Sequence, residues 1–403
     1  MTLFNFLRDG VREMLRGGWL YRIWLGVLLI VIVIGVGFYV NQLRFGLVTT
    51  GMSDQVSWGF YIANFAFLVG VAASAVLLVV PAYVFHRKDI KDVVLLGEGM
   101  AVAAVVTAML FVIVDMGRPD RLWHMIPLLG RFNFPISLLA WDVVVLTGYL
   151  LLNLCIPLLM LFTRYRGGEP NLNLYFPFIL LAIVWAISIH TVTAFLFSAN
   201  SARPFWHTAL LGPRFIASAF VSGPALFILA LQLIRRTANY PVSPKVIDTL
   251  AIIMTIALQI SLFFVIAELF TDFYNEGEHA ASVHYLYLGL EGFQALRPWI
   301  WSALALNITA VIILMIHPLR RNRVTLSLAC VLAFVGIWIE KGMGLVVPGF
   351  IPTPLGEIFE YTPTANEILI AIGCWSVGIL IFTLLAKAGI SIETGRLRQA
   401  AEQ

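Results

Sequence analysis

Ten apolar stretches divide this chain and leave it little choice of fold. They lie at 20–40, 58–85, 94–115, 135–162, 174–197, 215–234, 250–270, 299–316, 324–339 and 367–386. A helix needs about 20 apolar residues to cross a bilayer, with about 17–25 the usual range. The eighth and ninth stretches are short and call for extension or tilt at their ends. With 60% hydrophobic and only 12% charged residues, against about 25% charged in an ordinary soluble domain, the chain reads as an all-α polytopic membrane protein with ten transmembrane helices. The first stretch follows a basic, amphipathic segment with Arg8, Arg12 and Arg16 and lacks a small-residue cleavage site, so it reads as a retained span.

The loops give the orientation. All but eight of the 26 Lys and Arg residues fall on one side; the other side has Arg44, Arg118, Arg121, Arg131, Arg203, Arg214, Arg297 and Lys341. The positive-inside rule puts the richer side and both termini in the cytoplasm of a bacterial or archaeal cytoplasmic membrane. These scattered basic residues are no nucleic-acid signal. Gly59-Phe-Tyr-Ile-Ala opening the second span resembles Pro213-Arg-Phe-Ile-Ala opening the sixth. That likeness fits two four-helix bundles, spans two to five and six to nine, with flanking helices; convergent apolar composition explains it as well. The expected divisions are 1–19, 20–57, 58–197, 198–339 and 340–403.

Polar residues gather in the outer half of the membrane. Asp115 closes the third span in Asp115-Met-Gly-Arg-Pro-Asp-Arg121, Asp142 lies two turns into the fourth beside Trp141, and His190 lies two turns below the end of the fifth. Glu268 and Asp272 close the seventh on one helix face, and the loops add Arg118, His124, Arg203, His207, Glu276 and His279. An ionisable group in a span is a functional candidate by default. Plainer roles exist: an Asp115–Arg118 helix-end pair, a His190 that donates to a carbonyl one turn away, and solvated Glu268 and Asp272. Asp142, flanked by apolar residues, needs a partner or a proton. Asn153 shares its side of the helix and, with Thr147 nearby and Glu98, could carry protons or waters inward, although helix packing explains them equally well. Cys155, Cys330 and Cys374 lie singly in apolar runs, with no spacing for a metal or cluster.

Taken together, these segments resemble the NrfD/PsrC family of quinone-reactive membrane subunits. The resemblance rests on Ser57-Trp-Gly-Phe-Tyr-Ile-Ala-Asn64 with Gly70, the Asp115–Arg121 segment, Trp141-Asp142, His190-Thr-Val-Thr-Ala, Ala202-Arg-Pro-Phe-Trp-His207 and Gly212-Pro213. Glu268-Leu-Phe-Thr-Asp-Phe-Tyr274, Trp338-Ile-Glu-Lys-Gly-Met343, Pro348-Gly-Phe-Ile-Pro352 and Glu360-Tyr-Thr-Pro363 look most like its ten-helix DsrP branch, associated with sulfite reductase. Hydrogenase-linked ten-helix relatives are the competing branch. The resemblance implies a menaquinone or ubiquinone site, no haem or iron–sulfur cluster in this chain, and electron exchange with a periplasmic ferredoxin-like iron–sulfur subunit. Further cytochrome and cytoplasmic redox subunits and membrane lipid complete the expected partners, in dissimilatory sulfur metabolism. Carried onto these positions, it makes Asp142 and His190 the proton partners. Trp58, Tyr61, Asn64 and Trp141 line the site, Thr191 and Thr193 belong to it, and Asp115, Arg118 and His124 shape its mouth. Smaller family members place a histidine near Asn64, which here is followed by Phe65. The second bundle shows no equally dense set. Two other classes remain open on the residues: a b-type cytochrome, which needs histidine pairs at matched depth, and a secondary transporter, for which Gly223-Pro224 would break a helix.

Overall fold

A computed structural model describes residues 2–126, 128–275, 277 and 280–398; Glu276 and His279 fall outside them. Among the described residues, ten helices are long and apolar enough to cross a membrane: Trp19–Phe45, Phe60–Val84, Lys88–Asp115, Leu138–Tyr165, Leu172–Ser198, Leu211–Thr237, Pro244–Tyr274, Arg297–Met315, Arg323–Phe350 and Ala365–Glu393. Within hydrocarbon a helix satisfies its own backbone, which is why apolar runs become helices here. At 1.5 Å per residue, the 28-residue third span extends ~42 Å, past a ~30 Å hydrocarbon core.

Spans two to five close into one ring, spans six to nine into a second running in the same order, and the rings meet along the second and sixth helices. Gly70 makes that approach possible: a Cβ on it would lie 3.6 Å from the Ala219 Cα. The first and tenth spans pair with each other, and the tenth lies on the third. Their crossing is set by two glycines, since a Cβ on Gly35 would stand 2.8 Å from the Gly373 Cα. Small residues of this kind let helices pack closely where no hydrophobic drive exists between them.

Three departures from the expected spans matter. The second is not one regular helix: α-helix runs Phe60–Ala73, breaks at Ser74, and ends in a π-helical turn, Val80–Val84, that contains Pro81. The ninth does not stop at 339. Its α-helix includes Glu340 and Lys341, turns at Gly342 and continues through Met343–Val346 and Pro348–Phe350. Arg214, expected in a loop, lies within the sixth helix, which starts at Leu211. Both basic residues, Arg214 and Lys341, are buried.

Both ends of the chain lie on one side. The surface helix Thr2–Leu15 packs Phe6 edge-on to Tyr165 at the end of the fourth span. It is further held by Tyr165 Oη donating to Asp9 (2.7 Å) and Ser391 Oγ donating to Glu13 (2.7 Å). On the opposite side the loop before the tenth helix is fastened through Glu367. Its carboxylate accepts from the backbone N–H groups of Gly51 and Thr364 (2.8 Å each) and from Tyr361 Oη (2.5 Å). With Thr364 Oγ1 accepting from the Glu367 N–H, this is a capping box at the helix start.

Candidate functional site

The centre of the first ring joins the fourth and fifth helices. Thr193 Oγ1 donates to Asp142 Oδ1 at 2.8 Å, and both residues are buried. His190 stands one turn from Thr193 on the same side of the fifth helix; it is 2% exposed, and neither ring nitrogen has a partner among the described residues. A histidine satisfied by a nearby carbonyl is therefore not what the structure shows. Each unmet buried polar group disfavours the fold by about 1–3 kcal/mol, so this ring is poised for something that brings donors or acceptors.

The end of that ring opposite the termini is roofed by aromatic side chains. Trp58 stacks on Trp206 with ring centres 5.7 Å apart and meets Phe197 edge-on at 5.6 Å. Phe350 closes against both tryptophans, the Trp206 indole donates to the Leu345 carbonyl at 2.8 Å, and Arg203 lies over the Phe350 ring at 4.6 Å. The roof draws on four separate segments, of which the sequence pointed only to Trp58 as a lining residue.

Other expected lining residues are placed elsewhere. The Asn64 side chain is fully engaged: its oxygen accepts from the indoles of Trp338 (3.0 Å) and Trp375 (2.9 Å), and its NH2 donates to the Phe60 carbonyl (2.7 Å). It ties the second, ninth and tenth helices together. Tyr61 Oη donates to Gln42 Oε1 (2.7 Å), whose NH2 donates to the Val114 carbonyl (2.6 Å). Trp141 turns outward, its indole donating to the Pro135 carbonyl at 2.7 Å, and Thr191 donates back to Ile187 on the exposed side of its helix. Asp115 keeps one buried oxygen without a partner among the described residues. Arg118 does not pair with it; the guanidinium takes both oxygens of Asp120, at 3.0 and 2.9 Å, and holds that exposed carboxyl below its usual range. His124 stacks on Trp123 at the surface. Among the described residues, none of these three mouth residues hydrogen-bonds to Asp142 or His190.

The inward line also resolves into separate contacts. Asn153 donates to the Tyr149 carbonyl at 2.9 Å, and buried Glu98 has one oxygen without a partner among the described residues. A cavity of about 60 Å³ lies toward the termini between the third, fourth and tenth helices, lined by Asn153, Pro157 and Glu393 among apolar side chains. It has room for waters, not for a ring system, and His190 is not among its walls.

The second ring carries a dense polar set of its own, contrary to the sequence expectation. Arg214 donates from Nε (3.3 Å) and Nη2 (3.0 Å) to Glu340 Oε1 and from Nη1 to Glu268. Asn307 donates to the other oxygen of Glu340 at 3.3 Å. Lys341, buried at 4% exposure, reaches the Phe215 carbonyl at 3.4 Å and the face of its ring at 4.1 Å. The available signal was the repeat: Pro213-Arg aligns Arg214 with Phe60, a position inside the helix rather than before it.

Two same-order helix rings, each with a buried polar centre, define a polytopic membrane protein built for more than a lipid anchor. The chain belongs to the polysulphide reductase NrfD family, whose model matches residues 48–351. Three relatives match nearly end to end. A putative dimethyl sulfoxide reductase membrane subunit of Halobacterium salinarum is 29% identical, with 90% of each chain covered. The Hdr-like menaquinol oxidoreductase integral membrane subunit of Archaeoglobus fulgidus is 25% identical, over 94% of this chain and 95% of its own. A selenate reductase subunit of Mesobacillus selenatarsenatis is 24% identical, over 91% and 94%.

Proposed function

We propose that this chain is the quinone-reactive membrane subunit of a multisubunit oxidoreductase, exchanging electrons between membrane menaquinone or ubiquinone and an iron–sulfur subunit on the side opposite the termini. The observation that carries this reading is His190, buried with both ring nitrogens free beside the Asp142–Thr193 pair. The residues fit a quinone. Its two carbonyl oxygens call for donors in one state and proton acceptors in the other, and an imidazole with a carboxyl group serves both. Ile189, Ala194 and Phe197 supply apolar surface at the same level of the fifth helix.

A bound quinone supplies two-electron, two-proton chemistry. His190 offers an N–H to an oxygen or takes a proton at the free ring nitrogen. Thr193 fixes the rotamer of Asp142, so its second oxygen is presented in one direction as the other acid–base group. The roof of Trp58, Trp206, Phe197 and Phe350 keeps bulk water from these groups. Electrons leave or enter through the partner, for which this chain presents exposed basic residues at Arg118, Arg121 and Arg131. We assign the cytoplasm to the side of the termini from the distribution of basic residues.

Relatives that carry dimethyl sulfoxide reductase and selenate reductase names support an oxidised sulfur-type compound at the far end of the chain of carriers, in line with the likeness to the DsrP branch. Asp142→Asn and His190→Ala in the assembled complex are expected to lower quinone-linked electron transfer by about 10²-fold or more while leaving assembly intact. Unchanged turnover in both variants refutes the site.

A further inference from the structure

The surface helix Thr2–Leu15 has three distinct faces. Phe6, Asp9, Gly10 and Glu13 fall on one side at helical spacing, and this side is docked on the protein. Phe6 is buried against Phe162 and Tyr165, and Asp9 and Glu13 accept from Tyr165 and Ser391. Tyr165 is the last residue of the fourth span, and Ser391 stands close to the end of the tenth. The helix has 14 residues and a length of ~21 Å. Fastened to the ends of two spans on one side of the molecule, it runs across those ends and does not extend either span. A second face, Leu3, Phe4, Leu7, Val11 and Leu15, is exposed, Phe4 by 69% and Leu15 by 61%. Beside that stripe lie Arg8 and Arg12, with Arg16 just past the helix end, all exposed. Arg8 reaches Asp9 at 3.0 Å, whereas Arg12 and Arg16 have no ion-pair partner among the described residues.

What covers the apolar stripe follows from its neighbours. The chain leads from it into Trp19, Leu20, Ile23 and Trp24, exposed residues at the start of the first span. Tyr21 Oη braces the bend between the two helices by donating to the Met14 carbonyl at 2.6 Å. The apolar window of the first span is only 17% buried inside the protein, so the surface that the stripe joins is the one facing lipid. Tryptophans at this level are headgroup-level anchors. Further cations flank the helix: Arg166 over the Phe162 ring at 5.9 Å, beside docked Phe6, and Lys387 over the Tyr21 ring at 5.3 Å. An exposed apolar stripe edged by arginines on an otherwise polar helix is the chemistry of a helix lying in a bilayer interface.

We propose that Thr2–Leu15 is an in-plane anchor that binds anionic phospholipid in the leaflet on the side of the termini. Its apolar stripe lies among acyl chains, and Arg8, Arg12 and Arg16 bind headgroup phosphates. The contacts with Tyr165 and Ser391 hold it at one depth against the fourth and tenth spans, so lipid binding and docking of the helix reinforce each other. This assignment does not depend on the quinone reading.

The test uses the whole complex in nanodiscs of phosphatidylcholine alone and of equal parts phosphatidylcholine and phosphatidylglycerol. Each basic residue near an anionic surface strengthens binding about five-fold, so hydrogen exchange over residues 2–15 is expected to be about tenfold slower or more in the anionic discs. Arg8→Gln, Arg12→Gln and Arg16→Gln together are expected to abolish that difference. Equal exchange of the wild type in both discs, or a difference that survives the triple change, overturns the proposal. A spin label at Leu7→Cys, with Cys155→Ser to remove the exposed thiol, reads the depth. More frequent collision with oxygen than with an aqueous nickel chelate is expected. The reverse order, or cross-linking of the same position to another protein chain, shows a stripe in water or on a protein partner and overturns the anchor. If the triple variant does not assemble, the wild-type lipid comparison and the label at Leu7 decide it.

Discussion

Asn64 separates the structural from the sequence-based view of the site most directly. Leucine at this position keeps the size and removes every polar atom. The indole N–H groups of Trp338 and Trp375, at 3.0 and 2.9 Å, then lose their shared acceptor in the middle of the bundle. Two unsatisfied buried donors would disfavour the fold by about 2–6 kcal/mol in a soluble core. Hydrogen bonds between transmembrane helices average only about 0.6 kcal/mol, with about 1.7 the largest, because the unfolded chain in a membrane also finds partners. The expected loss for Asn64→Leu is therefore about 1–3 kcal/mol, and Asn64→Asp, which keeps the acceptor oxygen, should recover part of it. Detergent-induced unfolding followed by tryptophan fluorescence reads the loss, and quinone-linked turnover per folded complex should be nearly unchanged. A leucine variant as stable as wild type that no longer binds quinone would refute the assignment of Asn64 as a helix clamp and return it to the site lining.

Two further outcomes follow from the packing and the surface. In Asp9 the Tyr165 hydroxyl, and then Arg8, hold the carboxyl below its ordinary value of 3.8. A folded value that is depressed stabilises the docked surface helix above about pH 4 and ceases to do so as pH falls through it; hydrogen exchange over residues 2–15 should speed up in acid, and at higher pH in Tyr165→Phe than in wild type. Gly35→Val places side-chain atoms where the Gly373 backbone lies, 2.8 Å from the Cβ position. It is expected to part the first and tenth helices, measured as weakened cross-linking between cysteines introduced on the two.

The number and order of the spans were legible because hydrocarbon imposes one rule on every segment: about 20 apolar residues and an internally bonded backbone. The pairing of spans into two rings showed faintly in the Gly59 and Pro213 segments. What the apolar runs concealed was local. Ser74 and Pro81 interrupt the second span with a break and a π-turn inside unbroken hydrophobic sequence. The partnership of the first and tenth helices depends on Gly35 meeting Gly373, residues at opposite ends of the chain that no helical period connects.

The candidate site was legible in the same uneven way, and the reason is pairing. Asp142 and His190 stood out because each is the one ionisable residue in an apolar span, which is what a hydropathy pattern detects. Arg214, Glu340 and Lys341 were assigned to loops because a charge at the edge of an apolar run ends the run in any sliding average. Burial of those charges becomes tolerable only through contacts the average cannot contain: Arg214 on the sixth helix bridges Glu268 of the seventh and Glu340 of the ninth, and Asn307 of the eighth completes the set. One charge from this group placed alone in hydrocarbon would be strongly unfavourable, whereas here the single guanidinium of Arg214 is shared between two carboxylates. The first ring follows the opposite rule. Its histidine and aspartate carry no counter-charge among the described residues, and their imbalance is what an exchangeable, proton-carrying ligand would relieve. One helix pattern thus holds a ring whose charges meet counter-charges and a ring whose polar residues do not.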